Sequence, residues 1–308
     1  MVQQPPTAAP RNSVALVGLG AVGILFAAPL AARLPGALRV VADAARIARY
    51  TADPPSLNGQ RLAFTYVTPD NPGPPADLVL VGVKATNLTD ALPAIQAVTG
   101  PRTQILPLLN GISAPDDLAA VFGWARVLHG FVYCDSSMRT GHAVRQNGKA
   151  KIVFGEVTNA PPSPRVMAVA ELLDRAGIRY DIPADMRAAQ WKKFILNIGI
   201  NQAQAFYREP SARLQQDPAA MALARQLMDE AAAVGHALGI AGVQEIPAWA
   251  EDVIRAAAPD SKTSMLQDVE AGRPTEVDLF AGTVCRLAAP LGIPVPANEQ
   301  ILRALTAA

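Results

Sequence analysis

The chain has 308 residues, with 27 basic against 26 acidic side chains and a formal charge of +1, so no bulk electrostatic field draws it to nucleic acid or anionic lipid. An apolar fraction of 50 % with only 17 % charged residues is enough to cover the core of one large domain or two ordinary ones. Two cysteines, Cys134 and Cys285, and three scattered histidines, His129, His142 and His236, form neither a disulfide framework nor a metal-ligand spacing, which reads as a cytoplasmic protein without a metal.

Residues 1–12 read as a flexible tail. From Asn12 to Ala32 there are 21 consecutive uncharged residues, a length that would span a bilayer or mimic a signal peptide. The interior of the run argues against a membrane. Val14 to Val17 is a β-type stretch, Gly18-Leu19-Gly20-Ala21-Val22-Gly23 follows as G-x-G-x-x-G, and a helical apolar stretch comes next. In such a strand, turn and helix the first glycine permits the tight turn. The second lets backbone approach a pyrophosphate, and the third lets helix pack on strand, with phosphate on the positive helix N-terminus. A second strand, Leu38 to Ala42, ends at Asp43, about 20 residues past the last glycine, where a carboxylate hydrogen-bonds a ribose 2′-hydroxyl in folds of this kind.

Asp77 to Val83 is a short, nearly all-apolar run, as expected of a parallel strand buried on both faces, and it runs into Lys84. A helix is expected from Thr86 to Val98. Another apolar strand, Thr103 to Leu109, ends at Asn110-Gly111. Strands alternating with helices predict a doubly wound parallel sheet whose ligands lie at the carboxyl ends of the strands. Lys84 and Asn110 occupy such ends, either as solvated strand-tip residues or as ligand contacts.

Ser113-x-x-Asp116 reads as a capping box on the next helix. Val127 to Tyr133 and Ala150 to Phe154 flank Asn147-Gly148, a favoured tight turn, so the sheet is expected to finish with antiparallel strands. A loop at 160–164, a helix over 165–176 stopped by Gly177 and a last strand, Ile178 to Ile182, complete an α/β half over residues 13–183. From 184 to 308 the period-2 signal vanishes. Helices are expected at 185–206, 217–239, 245–257, 262–271 and 276–291.

In that half, Lys193, Asn197 and Asn201 are spaced i, i+4 and i+8, a polar stripe on an otherwise apolar helix. The stripe is either the solvent face or a surface that a ligand satisfies; asparagine is a poor choice twice on a solvated helix face. Ser264 begins a short helix closed by Gly272. Thr275-x-x-Asp278 reads as a second capping box, with Glu276 in the first turn, where dipole complementarity alone would account for it.

Taken in order, G-L-G-A-V-G at 18–23, V-K-A at 83–85, L-L-N-G at 108–111, W-K-K-x-x-x-N-x-x-x-N at 191–201 and S-M-L-Q-D-x-x-x-G-R-x-T-E-V-D at 264–278 resemble the ketopantoate reductase (2-dehydropantoate 2-reductase) family, from Val14 to about Leu302. The resemblance implies a Rossmann-type domain followed by an all-α substrate domain, with the active site in the cleft between them. It also implies reduction of a small-molecule 2-keto acid by NADP or NAD, ketopantoate to pantoate first among substrates, as in pantothenate biosynthesis.

Carried over by position, Lys193 would match the proton-donating lysine, and Asn197, Asn201 and Ser264 the positions that hold the substrate's hydroxyl and carboxylate. Asn110 would touch nicotinamide ribose and substrate. Lys84 would lie along the cofactor, with Glu276 at the cofactor end of the cleft.

Two departures stand out. Asp43 replaces the arginine that commonly holds the 2′-phosphate of NADPH, favouring NADH, although Arg46 and Arg49 lie within a turn or so. Ser211 stands where some relatives have another substrate asparagine. The alternatives are an NADH-dependent reductase of a bulkier branched or aromatic 2-keto acid, of the D-mandelate dehydrogenase type, and a dinucleotide-binding sensor without catalysis. The Ala-rich helix at 217–239 packs either within its domain or across a homodimer.

Overall fold

A computed structural model describes residues 12–134 and 137–306; of the tail expected at 1–12, all but Asn12 lies outside the described residues. The chain divides into two compact units, one ending at Met186 and one starting at Arg187.

Five strands form a parallel sheet in the first unit: Val14–Val17, Leu38–Val41, Thr65–Val67, Leu78–Val81 and Gln104–Pro107. Their order across the sheet, numbered along the chain, is 3-2-1-4-5, the doubly wound arrangement with its switch point beside the first strand. Strand residues alternate between two apolar layers, as the pleat requires. Val14, Leu16, Leu78, Leu80 and Leu106 face the helices Gly23–Arg33 and Pro164–Arg175 through Phe26, Leu30, Val166 and Val169. Ala15, Val17, Val79, Val81 and Ile105 face the helices Leu88–Ala97 and Ala114–Phe122 through Leu88, Ile95, Leu118 and Phe122. Burial on both faces explains why the Val14–Val17 and Leu78–Val81 segments read as unbroken apolar runs.

Beyond the fifth strand, Val127 bridges to Ile105, and the chain continues into His129–Cys134. This strand pairs antiparallel with Ala150–Gly155, which pairs in turn with Tyr180–Asp181. The antiparallel finish is present, but its turn is not at Asn147-Gly148. Between the two strands an extra hairpin, Ser137–Thr140 with Ala143–Gln146, turns at Gly141 and joins Ser56–Leu57 and Gln60–Arg61 in a small separate sheet. Val144 is its one buried residue among short polar strands, so the segment carries no period-2 apolar signal, and Asn147-Gly148 serves only as the link into Ala150–Gly155.

The expected Ser113 capping box does not form. Ser113 already has helical backbone angles, φ −87° and ψ −28°, and its hydroxyl makes no cap bond, because capping needs the extended backbone of a residue outside the helix.

In the second unit the helices Met186–Tyr207, Ser211–Gln216, Pro218–Ala237, Ile246–Ala256, Ser264–Glu270, Thr283–Ala288 and Pro296–Thr306 follow one another. The single helix expected at 276–291 is instead a π-turn, Asp278–Gly282, then the Thr283–Ala288 helix, then a 3₁₀ turn at Ala289–Leu291. The Thr275 box is also absent: Val277, already helical, precedes the turn with no side-chain cap, and Asp278 Oδ1 accepts from Arg286 Nη1 at 2.7 Å. The long helices Met186–Tyr207 and Pro218–Ala237 meet closely. A β-carbon on Gly199 would sit 2.5 Å from Met228 Sδ, and one on Gly235 would sit 2.8 Å from the Trp191 ring.

Pro296–Thr306 was not among the expected helices, and its N-terminus is held by Glu230. That buried carboxylate accepts from the backbone N–H of Ala297 and Asn298 at 2.9 and 3.0 Å. Among the described residues no helix is long and apolar enough to cross a membrane.

Candidate active site

In the first unit, sheet register places four of the expected positions on one edge. Val17 pairs with Val41 and with Val81, and Val81 pairs with Pro107. The glycine loop after Val17, Asp43 after Val41, Lys84 after Val81 and Asn110 after Pro107 therefore all leave the carboxyl edge of the same sheet, where doubly wound folds bind ligands.

The glycines of that loop do different work. Gly18 has φ +102°, and a β-carbon there would lie 2.6 Å from the backbone of Gly82 and Val83; one on Gly23 would lie 2.1 Å from Gly18 O. These two are required by the chain's own packing. Gly20 is not: a β-carbon on it would meet nothing nearer than 3.7 Å. That β-carbon would make only ordinary contacts, with the Arg139 guanidinium at 3.7 Å and Gly82 O at 3.9 Å, so the fold's own packing does not require glycine at the position where a pyrophosphate approaches in folds of this kind. The helix that follows, Gly23–Arg33, has no side-chain cap at Val22 and no acidic residue in its first turn, so its positive end is left without an anion of its own. Both features fit a dinucleotide's phosphates.

Asp43 lies at the strand end where it was expected, and there it caps the helix Ala44–Ala52, its Oδ1 accepting from Arg46 N at 2.6 Å, with Arg46 Nε 3.7 Å from its other oxygen. Lys84 is exposed and Asn110 half-buried.

In the second unit, Lys193, Asn197 and Asn201 lie along the helix Met186–Tyr207, between core residues Phe194, Ile195 and Ile198. The stripe is not a solvent face throughout. Lys193 and Asn197 are half-buried, and Asn201 is only 6 % exposed. Among the described residues, none hydrogen-bonds to the Asn197 or Asn201 carboxamide. Neither is among the fully buried polar groups left without a partner, so their polar ends are accessible to a ligand.

Two glutamines on the same helix are fully committed. Gln202 Oε1 accepts from Ala281 N at 2.9 Å inside the π-turn, and its Nε2 donates to Ile198 O at 3.0 Å. Gln204 Oε1 accepts from Thr263 N at 2.9 Å, and its Nε2 donates to Ser211 Oγ at 2.9 Å.

Those bonds place the remaining positions. Thr263 caps the helix Ser264–Glu270, so Gln204 ties the start of the Ser264 segment to the helix that carries the stripe. Glu276 is buried immediately before the π-turn that Gln202 grips. Ser211 is fully buried, its hydroxyl 2.7 Å from Ser261 Oγ, and so belongs to the packing of this unit.

Comparison with known proteins identifies the family. Residues 14–159 match the family described as ketopantoate reductase PanE/ApbA, and residues 185–308 match its C-terminal domain. The chain belongs to the ketopantoate reductase family. This is a family of NADP-dependent oxidoreductases.

One relative, named 2-dehydropantoate 2-reductase, from Mycobacterium tuberculosis H37Rv, is 30 % identical over 300 residues, covering 96 % of this chain and 98 % of the relative. Among solved structures, 2-dehydropantoate 2-reductase from Geobacter metallireducens GS-15 superposes with a TM-score of 0.81 at 25 % identity, over 96 % of this chain and 99 % of that one. D-mandelate dehydrogenase, solved with NADH and anilino(oxo)acetate, shares the fold with a TM-score of 0.86 at 20 % identity, over 96 % and 97 %.

The sequence pattern passed over Gln202 and Gln204. The signal was present in N-Q-A-Q-A at 201–205: long carboxamides among alanines on a buried helix must reach neighbouring backbone to be tolerated.

Proposed function

We propose that this chain reduces a 2-keto acid to the 2-hydroxy acid with NADPH or NADH, with ketopantoate as the first substrate. The observation that carries the reading is the pair of carboxamides, Asn197 and Asn201, left without a partner in their own unit on the helix that presents Lys193. A pure nucleotide sensor has no use for such a stripe.

The nicotinamide, when bound, supplies the hydride. The protein's part is positioning and one acid. Hydride arrival builds negative charge on the carbonyl oxygen, and Lys193 Nζ stabilises that charge and donates the proton, a contribution of about two to four orders of magnitude in rate. Asn197, Asn201 and Ser264 hold the hydroxyl and carboxylate of the keto acid. Gly18 to Gly23, Asp43, Lys84, Asn110 and Glu276 serve the cofactor, Asn110 reaching the substrate as well.

A second reading, a bulkier branched or aromatic 2-keto acid, is favoured by Ser211: its hydroxyl is bound within the unit, so the asparagine contact that some relatives have at this position is lost.

The test is a panel of ketopantoate, 2-ketoisovalerate and phenylglyoxylate, each assayed by loss of reduced-cofactor absorbance with NADH and with NADPH. The expected result is turnover, largest with ketopantoate. A larger kcat/KM for phenylglyoxylate selects the second reading, and no turnover with any keto acid sinks both. Lys193→Ala should lower kcat at least a hundredfold with cofactor affinity near wild type; unchanged turnover would remove Lys193 from its role.

A further inference from the structure

One cation in the first unit lies beside the glycine loop without a counterion. Arg139, on the strand Ser137–Thr140, places its Nη1 3.7 Å from the point where a β-carbon would stand on Gly20. Gly20 O accepts from Ile24 N in the first turn of the helix Gly23–Arg33, so the guanidinium stands over the entry of that helix. The first turn has no acidic residue, the loop 18–23 has no charged one, and no carboxylate among the described residues pairs with Arg139. A helix N-terminus carries about half a positive charge. A guanidinium beside it raises the local potential further, an arrangement that is unfavourable unless an anion comes between them.

The strand that bears Arg139 is also held in place. Its hairpin partner, Ala143–Gln146, pairs with Ser56–Leu57. Gln146 N donates to Asn58 Oδ1 at 2.8 Å, His142 Nδ1 lies 3.0 Å from Asp53 O, and the His142 ring packs edge-on against Tyr50, 5.1 Å between centroids. Arg139 Nε donates to Gly141 O at 2.9 Å, which orients the guanidinium and leaves its outer nitrogens for another acceptor.

We propose that Arg139 is a binding residue for the diphosphate bridge of the dinucleotide, contributing charge-assisted hydrogen bonds opposite the backbone of the glycine loop. The extra hairpin thus has a function, delivering one cation to a chain whose formal charge is close to zero. The proposal rests on the cofactor reading given above.

Titration of NADH and NADPH fluorescence with wild type, Arg139→Ala, Arg139→Lys and Arg145→Ala tests it, with each variant's melting temperature recorded. Arg145 is an equally exposed cation on the partner strand of the same hairpin. The expected result is affinity about tenfold weaker for both cofactors in Arg139→Ala, a shallower dependence of log Kd on log salt, substantial recovery in Arg139→Lys, and Arg145→Ala within about twofold of wild type. Unchanged affinity in Arg139→Ala overturns the proposal, as does an equal loss in Arg145→Ala, which would mark a bulk charge effect. A loss confined to NADPH would place Arg139 at the 2′-phosphate and overturn the diphosphate assignment. Wild type binding neither cofactor would instead defeat the cofactor reading, on which this one stands.

Discussion

The glycine loop of the first unit and the polar stripe of the second are made of different materials. At the loop the candidate binding surface is backbone: Gly18 and Gly23 lock the turn against Gly82 and against each other, and no close contact requires glycine at Gly20. On the helix Met186–Tyr207 the surface is side chain, with Asn197 and Asn201 set among core residues and Gln202 and Gln204 bracing the same helix against its neighbours. A backbone surface is inseparable from the fold that shapes it, whereas side chains on a finished helix can be altered one at a time. The two regions should therefore fail differently.

The largest effect is expected at the loop. Gly18→Ala forces a β-carbon to within 2.6 Å of Gly82 and Val83 backbone at φ +102°, and steric overlap and dihedral strain together cost about 3–5 kcal/mol. Gly20→Ala, two residues away, meets no such contact and should leave the melting transition nearly unmoved while weakening NADPH and NADH binding at least about tenfold. Thermal melts and fluorescence titrations on the pair read both quantities. Equal destabilisation by the two substitutions would show that the fold's own packing requires glycine at Gly20 as well.

On the helix the comparison is between Asn201 and Gln204. Gln204→Leu leaves Thr263 N–H without its acceptor and removes the bond to the Ser211 hydroxyl, which keeps Ser261 Oγ, a loss of about 2–3 kcal/mol. Asn201→Leu removes a carboxamide that no described residue satisfies, so stability should hold or rise by up to about 1 kcal/mol, while the KM for the keto acid rises about ten- to a hundredfold. Denaturant melts with keto acid kinetics separate the two. A stability loss in Asn201→Leu matching that of Gln204→Leu would make the stripe structural.

What was legible in the sequence follows the same division. The parallel sheet showed itself because strands buried on both faces must be apolar throughout, and the loop because only glycine packs at Gly18 and Gly23. The Lys193–Asn197–Asn201 spacing was legible as a stripe, yet its burial at Asn201 depends on what packs beside the helix, which spacing cannot report. The hairpin carrying Arg139 was hidden because its strands are short, polar and stabilised by pairing with Ser56–Leu57, more than eighty residues earlier in the chain. The Ser113 box failed on its backbone, which is already helical at its first residue, and the Thr275 box failed because the turn begins after Val277 and Asp278 is taken by Arg286. The pattern S/T-x-x-D identifies side chains able to cap, and the path of the backbone and the partners around it decide whether they do.

The smallest expected effect belongs to Asp43, where the two kinds of surface meet: a side chain at a strand tip that also caps a helix. Removing the cap bond to Arg46 N in Asp43→Ala costs about 1 kcal/mol or less, since the site is exposed. On the proposed reading its carboxylate accepts from a ribose hydroxyl and repels a 2′-phosphate. Without it, Arg46 is freed from the 3.7 Å ion pair and becomes available to a phosphate instead. The ratio of kcat/KM with NADPH to kcat/KM with NADH should therefore rise several-fold in Asp43→Ala, with most of the change in the KM for the cofactor. Asp43→Asn keeps a cap acceptor and removes the charge, so it should shift the ratio in the same direction while leaving stability near wild type. If neither substitution moves the ratio, Asp43 serves the helix Ala44–Ala52 alone, and cofactor choice is made by groups that do not depend on this carboxylate.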